Sequence, residues 1–278
     1  MPVRILFVLA FVLGALGLPV SSGWAQEPLT IEPGKAIERE IAAGQTHSYR
    51  ITLAAGQFIR VLVEQPGCDV ALTLVAPDGK TAVESKLNRP NALESLSFEA
   101  QTGGEHLLQI RPFKLTDNYP SPGAYQVQVS DNRGAYRIRL ETRATATAQD
   151  RQRIEAERLL AEAYRMGKQP TATPQQKEEK AQQALTLWRA LGDKYWEATT
   201  LSLIATAHFA ANSHDKAAEW YTQALAVWRA LGDRINEART LNDLGWAYQR
   251  ARNFPKATEC YEQALKLARE IKDRLTEA

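Results

Sequence analysis

Trp188-Arg189-Ala190-Leu191-Gly192-Asp193 returns forty residues later as Trp228-Arg229-Ala230-Leu231-Gly232-Asp233, and again, in worn form, as Ala268-Arg269-Glu270-Ile271-Lys272-Asp273. The residues between these markers keep step. Gln183-Ala184-Leu185 recurs as Gln223-Ala224-Leu225 and Gln263-Ala264-Leu265, and Glu197-Ala198 recurs as Glu237-Ala238 and Glu277-Ala278. A fixed period of this size marks supersecondary units stacked in an array, each covering the apolar face of its neighbour. Such arrays present extended surfaces to partners and seldom enclose a catalytic pocket. The repeat therefore points to a binding protein.

Working outward, the helical text occupies residues 150–278, with a degenerate unit over 150–193 and units over 198–233 and 238–273. In the last complete unit Ala238, Leu241, Leu244, Gly245 and Tyr248 fall at helical spacing, the chain breaks at Arg252-Asn253-Phe254-Pro255, and Ala257, Tyr261, Ala264 and Leu265 resume the period. Two helices with small residues at their crossing make an antiparallel hairpin. The preceding unit carries Ala198, Leu201, Ile204, Ala205, Ala217, Tyr221, Ala224 and Leu225 in the same places. This pattern resembles the tetratricopeptide repeat, departing from it at His208, which takes an aromatic slot, and at His214. The forty-residue period exceeds the usual ~34 of that family, so the second helix is expected to run on through Val227-Trp228-Arg229-Ala230-Leu231. Gly232 then suits the left-handed position that closes a helix. The earliest unit matches at Leu160, Ala161 and Tyr164 and over Lys180–Leu191, with extra residues around Gln169–Pro174 that suit an atypical end unit. The Leu-Gly-Asp turn is also similar to that of bacterial arrays that precede a caspase-like CHAT peptidase domain.

In the tetratricopeptide family the first helix of each hairpin lines a concave groove. The resemblance places Thr199, Ser202, Thr206 and Phe209 there in one unit and Arg239, Asn242, Trp246 and Arg250 in the next. Glu155, Arg158, Glu162 and Arg165 take these places in the end unit. Arg and Asn in a groove can hold a peptide backbone and its carboxylates through charge-assisted bonds. A solvated helix face is the alternative for each of these residues. Trp246 stands apart, because no repeat partner above or below it would bury an indole. Trp188, Trp220 and Trp228 are expected to be packing.

Residues 30–142 read as β structure. Tyr125, Val127 and Val129 alternate with Gln126, Gln128 and Ser130, and Tyr136, Ile138 and Leu140 alternate with Arg137, Arg139 and Glu141. A period of two with one apolar face predicts a sheet covered on one side and wet on the other. His47–Leu53, Phe58–Glu64, Val70–Val75, Glu94–Ala100 and Glu105–Arg111 fit the same scheme. Turns at Ala55-Gly56, Pro66-Gly67, Pro77-Asp78-Gly79, Thr102-Gly103-Gly104, Pro122-Gly123 and Asn132-Arg133-Gly134 punctuate them. The expectation is an antiparallel, jelly-roll-like β-sandwich followed by an all-α solenoid, a multidomain β + α chain. Ser48-Tyr49-Arg50-Ile51-Thr52-Leu53, Gly56-Gln57, Gly67, Asp69, Leu74 to Gly79 and Gly123-Ala124-Tyr125-Gln126-Val127 resemble the bacterial pre-peptidase C-terminal domain over residues 32–130. Gly104-Glu105-His106 departs from its usual Gly-x-Tyr. Asp69, Asp78, Asp117, Asn118 and Asp131 read as turn formers rather than calcium ligands, since they lack the spacing of a dedicated loop. The basic stripe Arg133, Arg137, Arg139 and Arg143 reads as a solvated edge that discourages strand pairing. The Ala/Thr-rich residues 143–149 are the expected linker.

Residues 1–25 have the layout of a secretory signal peptide: Arg4, an apolar run from Ile5 to Leu18, Pro19, and small residues at Gly23 and Ala25 before a cut at Gln26. Its apolar run is shorter than the ~20 residues that span a bilayer, and no later segment is long enough either. A net charge of +2 on 278 residues offers nucleic acid no attraction. Cys68 and Cys260 fall in different halves, so no bridge is expected between them. His47, His106, His208 and His214 lie in separate elements, and no nucleophile dyad, phosphate loop, paired carboxylates or zinc spacing is present. No catalytic residue, metal ligand or cofactor is therefore assigned.

The expected function is an exported, non-enzymatic scaffold that binds a protein or peptide in the helical groove through Trp246, Arg239, Asn242, Arg250, Phe209, Ser202 and Arg158. Two alternatives stand beside it: the recognition part of a CHAT-type peptidase whose catalytic domain lies outside this chain, and a wall- or matrix-binding module acting through the sandwich. Ala278 occupies the first slot of a further repeat, so the sequence is expected to be a fragment or to self-associate through its uncovered C-terminal helix.

Overall fold

The structure, a computed structural model, describes residues 27–65, 68–86, 93–112, 134–167 and 173–271. Its strands are β1 (Leu29–Thr30), β2 (Ala36–Ile41), β3 (His47–Leu53), β4 (Phe58–Glu64), β5 (Val70–Val75), β6 (Thr81–Ser85), β7 (Leu93–Glu99), β8 (Gly104–Pro112) and β9 (Gly134–Arg143). They form two sheets, in the orders β1-β3-β8-β5-β6 and β2-β9-β4-β7. The pairings are antiparallel except for β1 on β3. The alternation expected from the sequence fills the space between the sheets: Ile59, Val61 and Val63 of β4 and Ile138 and Leu140 of β9 face Ile51 of β3, Leu72 and Leu74 of β5, and Leu108 and Ile110 of β8. One polar chain is threaded through this core. The Tyr136 hydroxyl of β9 meets His47 Nδ1 at 2.7 Å and the Tyr49 hydroxyl at 2.6 Å, both on β3, which pins the two sheets together.

Three expectations about this half need correction. The face expected to be wet is covered where β4 and β7 lie: Phe58, Leu62, Ser95 and Ser97 are buried there, beneath the helices. β9 is not an edge, because it lies between β2 and β4. Arg137, Arg139 and Arg143 instead form ion pairs with Glu38, Glu141 and Asp150. Asp69 is not an exposed turn former: its side chain is buried and accepts a 3.4 Å bond from Gln65. Burial, and then the Glu94 carboxylate, push the Asp69 carboxyl up to about 8. Asp78 does form its turn, accepting from the Lys80 amide. The expected strand at Tyr125–Ser130, with Asp117, Asn118, Asp131 and Arg133, lies outside the described residues. β2 and β6 lie outside the strand runs expected from the sequence, because their apolar residues, Ala36, Ile37 and Ile41 in β2 and Ala82 and Val83 in β6, do not alternate.

Six helices follow among the described residues: α1 (Ala148–Gly167), α2 (Pro174–Leu191), α3 (Lys194–Ala210), α4 (His214–Leu231), α5 (Arg234–Arg250) and α6 (Phe254–Ile271). They pack as three antiparallel hairpins laid side by side. Several boundaries have a local cause. Thr173 and Gln176 make a reciprocal capping box at the start of α2, which satisfies two backbone amides that would otherwise lack partners. Gly192 and Gly232 both sit at φ +68° and close α2 and α4, as the sequence predicts. Asp193 and Asp233 then cap α3 and α5. Asn212 and Arg252, forty residues apart, turn the tight corners inside two hairpins at φ 58° and 61°. Gly245 permits a close crossing of α5 and α6, since a Cβ there would lie 2.6 Å from Tyr261 Cε1. Trp188 and Trp228 are buried, and half-buried Trp220 packs against the apolar clusters.

Residues 143–149 join the two halves through specific hydrogen bonds. The Ala146 amide donates to the Gly56 carbonyl at 3.2 Å. Thr147 caps α1, with Asp150 returning bonds to the Thr147 amide and hydroxyl at 3.0 and 2.8 Å. Burial pushes the Asp150 carboxyl up, but these bonds and Arg143 together hold it below its ordinary value. Cys68 and Cys260 are separate buried thiols, and burial pushes each up to about 11.

Candidate functional site

The first helices of the hairpins, α1, α3 and α5, carry the residues assigned to the groove. On α3, Thr199, Ser202 and Thr206 share one face, and their hydroxyls donate to carbonyls one turn back, at 2.9, 3.0 and 2.9 Å. Those hydroxyl protons are already used, so this part of the face is chemically quiet. Thr206 is also buried and bonded to the Tyr221 hydroxyl at 2.9 Å. Phe209 packs on the cluster formed by α3 to α6, with its ring 5.0 Å from that of His214. Both residues therefore brace the array at the end of the face.

The row on α5 is different. Arg239, Asn242 and Trp246 are half-buried and Arg250 is exposed. Trp246 belongs to none of the apolar clusters among the described residues. Arg250 lies close enough to His214 that its charge, after burial, helps hold the imidazole below its ordinary value. On α1, Arg158 is engaged by its own helix, with Glu155 at 2.7 Å and Glu162 at 3.1 Å, and Glu162 also meets Lys180 of α2 at 3.4 Å. Arg158 is thus a neutralised surface patch, while α5 holds the large aromatic and the cations that flank it.

Sequence reasoning missed Tyr195, which belongs to the same α3 face one turn before Thr199. Its half-buried ring packs edge-on against Trp196 at 5.5 Å and Trp228 at 5.2 Å. Its hydroxyl accepts the Leu93 amide of β7 at 2.8 Å. Burial pushes its phenol well up, with Asp233, Glu94 and Arg239 all within electrostatic reach. The α3 face therefore begins against the sandwich and runs away from it. The spacing of four from Thr199 was the available signal, but an aromatic at that slot has no counterpart in the next unit, where Ile235 stands. The two histidines six apart do not converge: His208 Nε2 meets Glu178 of α2 at 3.3 Å, whereas His214 lies on Phe209.

These features define the class: a β-sandwich fused through a polar joint to an array of helical hairpins. Within that array, residues 178–230 and 196–270 match the tetratricopeptide repeat family model. Comparison with curated proteins finds no match. Among solved structures, the pre-peptidase C-terminal domain of a Bacillus anthracis collagenase is similar at 16% identity, covering 43% of this chain and 99% of that one, with a TM-score of 0.33. The tetratricopeptide domain of Arabidopsis FLU is similar at 16% identity, covering 44% of this chain and 99% of that one, at 0.39. A periplasmic inhibitor of g-type lysozyme from Aeromonas hydrophila is similar at 9% identity, covering 42% of this chain and 96% of that one, at 0.32. No helix among the described residues is long and apolar enough to cross a membrane.

Proposed function

We propose that the protein is an exported, non-enzymatic scaffold that holds a protein or peptide partner on the concave face of its repeats. Export rests on the leader-like residues 1–25, which lie outside the described residues. The observation that carries the binding reading is Trp246: a half-buried indole outside the apolar clusters of the described residues, on the same row as Arg239, Asn242 and Arg250. Binding energy at protein interfaces concentrates in a few Trp and Arg residues.

The test is the affinity of the full chain for a partner captured from cell-envelope extract and then purified. Trp246→Ala is expected to weaken binding about thirtyfold, the equivalent of ~2 kcal/mol, with the melting temperature nearly unchanged. Tyr221→Ala, which removes a fully buried ring from the core of the array, is expected to lower stability by about 3 kcal/mol. The groove reading fails if Trp246→Ala unfolds the array as badly as Tyr221→Ala, or if it leaves the affinity intact.

A further inference from the structure

We propose that the sandwich is the N-terminal cap of the helical array and that the two halves behave as one body, opening only when the protein unfolds. Each half has a liability at the place where they meet. β7 is the outer strand of its sheet, and an outer strand exposes amides that invite pairing with other chains. A solenoid's first helix has no preceding repeat to cover it. Each supplies what the other lacks.

The Leu93 amide donates to the Tyr195 hydroxyl at 2.8 Å, and the Ser97 amide donates to Glu157 Oε2 at 2.7 Å. Residues four apart on a strand point their amides the same way, so α3 and α1 occupy two amides on one edge of β7. The Glu157 carboxylate is buried, and Ser95 and Ser97 donate their hydroxyls to its Oε1 at 2.6 and 3.0 Å. Beside it, Asp193 Oδ2 receives Arg153 of α1 at 2.6 Å and Arg60 of β4 at 3.6 Å. Arg151 grips Glu99 of β7 through two bonds, at 2.9 and 2.8 Å. Arg60, Arg153, Asp193 and Glu157 thus form a largely buried polar cluster that is complete only when both halves are in place. A hinge working at this joint would have to break these bonds together, and the cost of breaking a shared polar network exceeds that of any one pair.

Amide hydrogen exchange on the intact chain reads the joint directly. The Leu93 and Ser97 amides are expected to exchange within about tenfold of the amides bonded between β4 and β7, and heating is expected to show one transition. Tyr195→Phe removes a single hydroxyl and is expected to speed exchange at Leu93 while sparing Ser97. Glu157→Ala is expected to free both serines and to split the thermal transition in two. The proposal is overturned if Leu93 and Ser97 exchange at loop rates in the unaltered protein, or if Glu157→Ala leaves a single transition and protected amides. Tyr195→Phe still decides the matter if Glu157→Ala does not fold: unchanged exchange at Leu93 sinks the proposed edge closure.

Discussion

The two intact copies of the six-residue turn, 188–193 and 228–233, have the same backbone and different surroundings. Gly192 and Gly232 each return an amide to the arginine carbonyl at 3.1 Å. Arg189 reaches Glu197 at 2.9 Å and Arg229 reaches Glu237 at 2.9 Å. The aspartates differ. Asp233 is finished locally, accepting the Asn236 amide at 3.0 Å and its side-chain nitrogen at 2.8 Å. Asp193 caps Trp196 at 3.3 Å and then spends its other oxygen on Arg153 and Arg60. Where Asn236 stands in the second copy, Trp196 in the first stacks on Trp188 at 5.7 Å. One motif therefore does two jobs: it turns the chain in both copies and docks the sandwich in the first.

That difference can be broken or sharpened by paired substitutions, each measured by chemical denaturation of the full chain. Trp188→Ala and Trp228→Ala remove equally buried indoles and are each expected to cost about 3–5 kcal/mol. A gap between the two of more than ~2 kcal/mol would show that the shared core of the motif is not equivalent in the two copies. Asp193→Ala is expected to cost about 3 kcal/mol, since it removes the acid that Arg153, only 15% exposed, meets at 2.6 Å and leaves Arg60 with Glu141 at 4.0 Å alone among its ion pairs. Asp233→Ala should cost only the ~1 kcal/mol of a helix cap. Equal losses for the two aspartates would refute the docking role of Asp193. Gly192→Ala and Gly232→Ala meet no atom within 4 Å, so each is expected to lose only the ~1–2 kcal/mol of a left-handed side chain. A larger loss at Gly192 would reveal strain imposed by the sandwich. The smallest effect belongs to Arg189→Ala and Arg229→Ala, about 1 kcal/mol or less for arginines whose side chains are half exposed. Arg229 should be the costlier, because it also bonds Gln263 of the next hairpin at 2.8 Å.

The sandwich core was legible because alternation reports a covered face: His47–Leu53, Phe58–Glu64 and Val70–Val75 appear as strands with the residue bounds read from the sequence. The other face misled. Ser95, Ser97 and Arg60 look like residues for water, and polar side chains read alike whether they meet solvent or a polar partner on another element. The groove shows the same limit. Spacing put Ser202 and Phe209 on one face, yet Ser202 bonds its own helix and Phe209 braces the core, because a face is a direction and occupancy depends on the neighbours.

What the sequence by itself determined is whatever repeats or alternates: the forty-residue hairpin, its glycine stop, and the covered face of the strands whose apolar residues alternate. These are local, since backbone geometry and a period of 3.6 or 2 act within one element. Only the tertiary structure decided that β9 lies inside its sheet, that Asp69 is a buried acid, and that Glu157 and Tyr195 close the edge of β7. Each of those depends on which distant segment arrives alongside, and a buried polar group acquires its meaning from the partner that satisfies it.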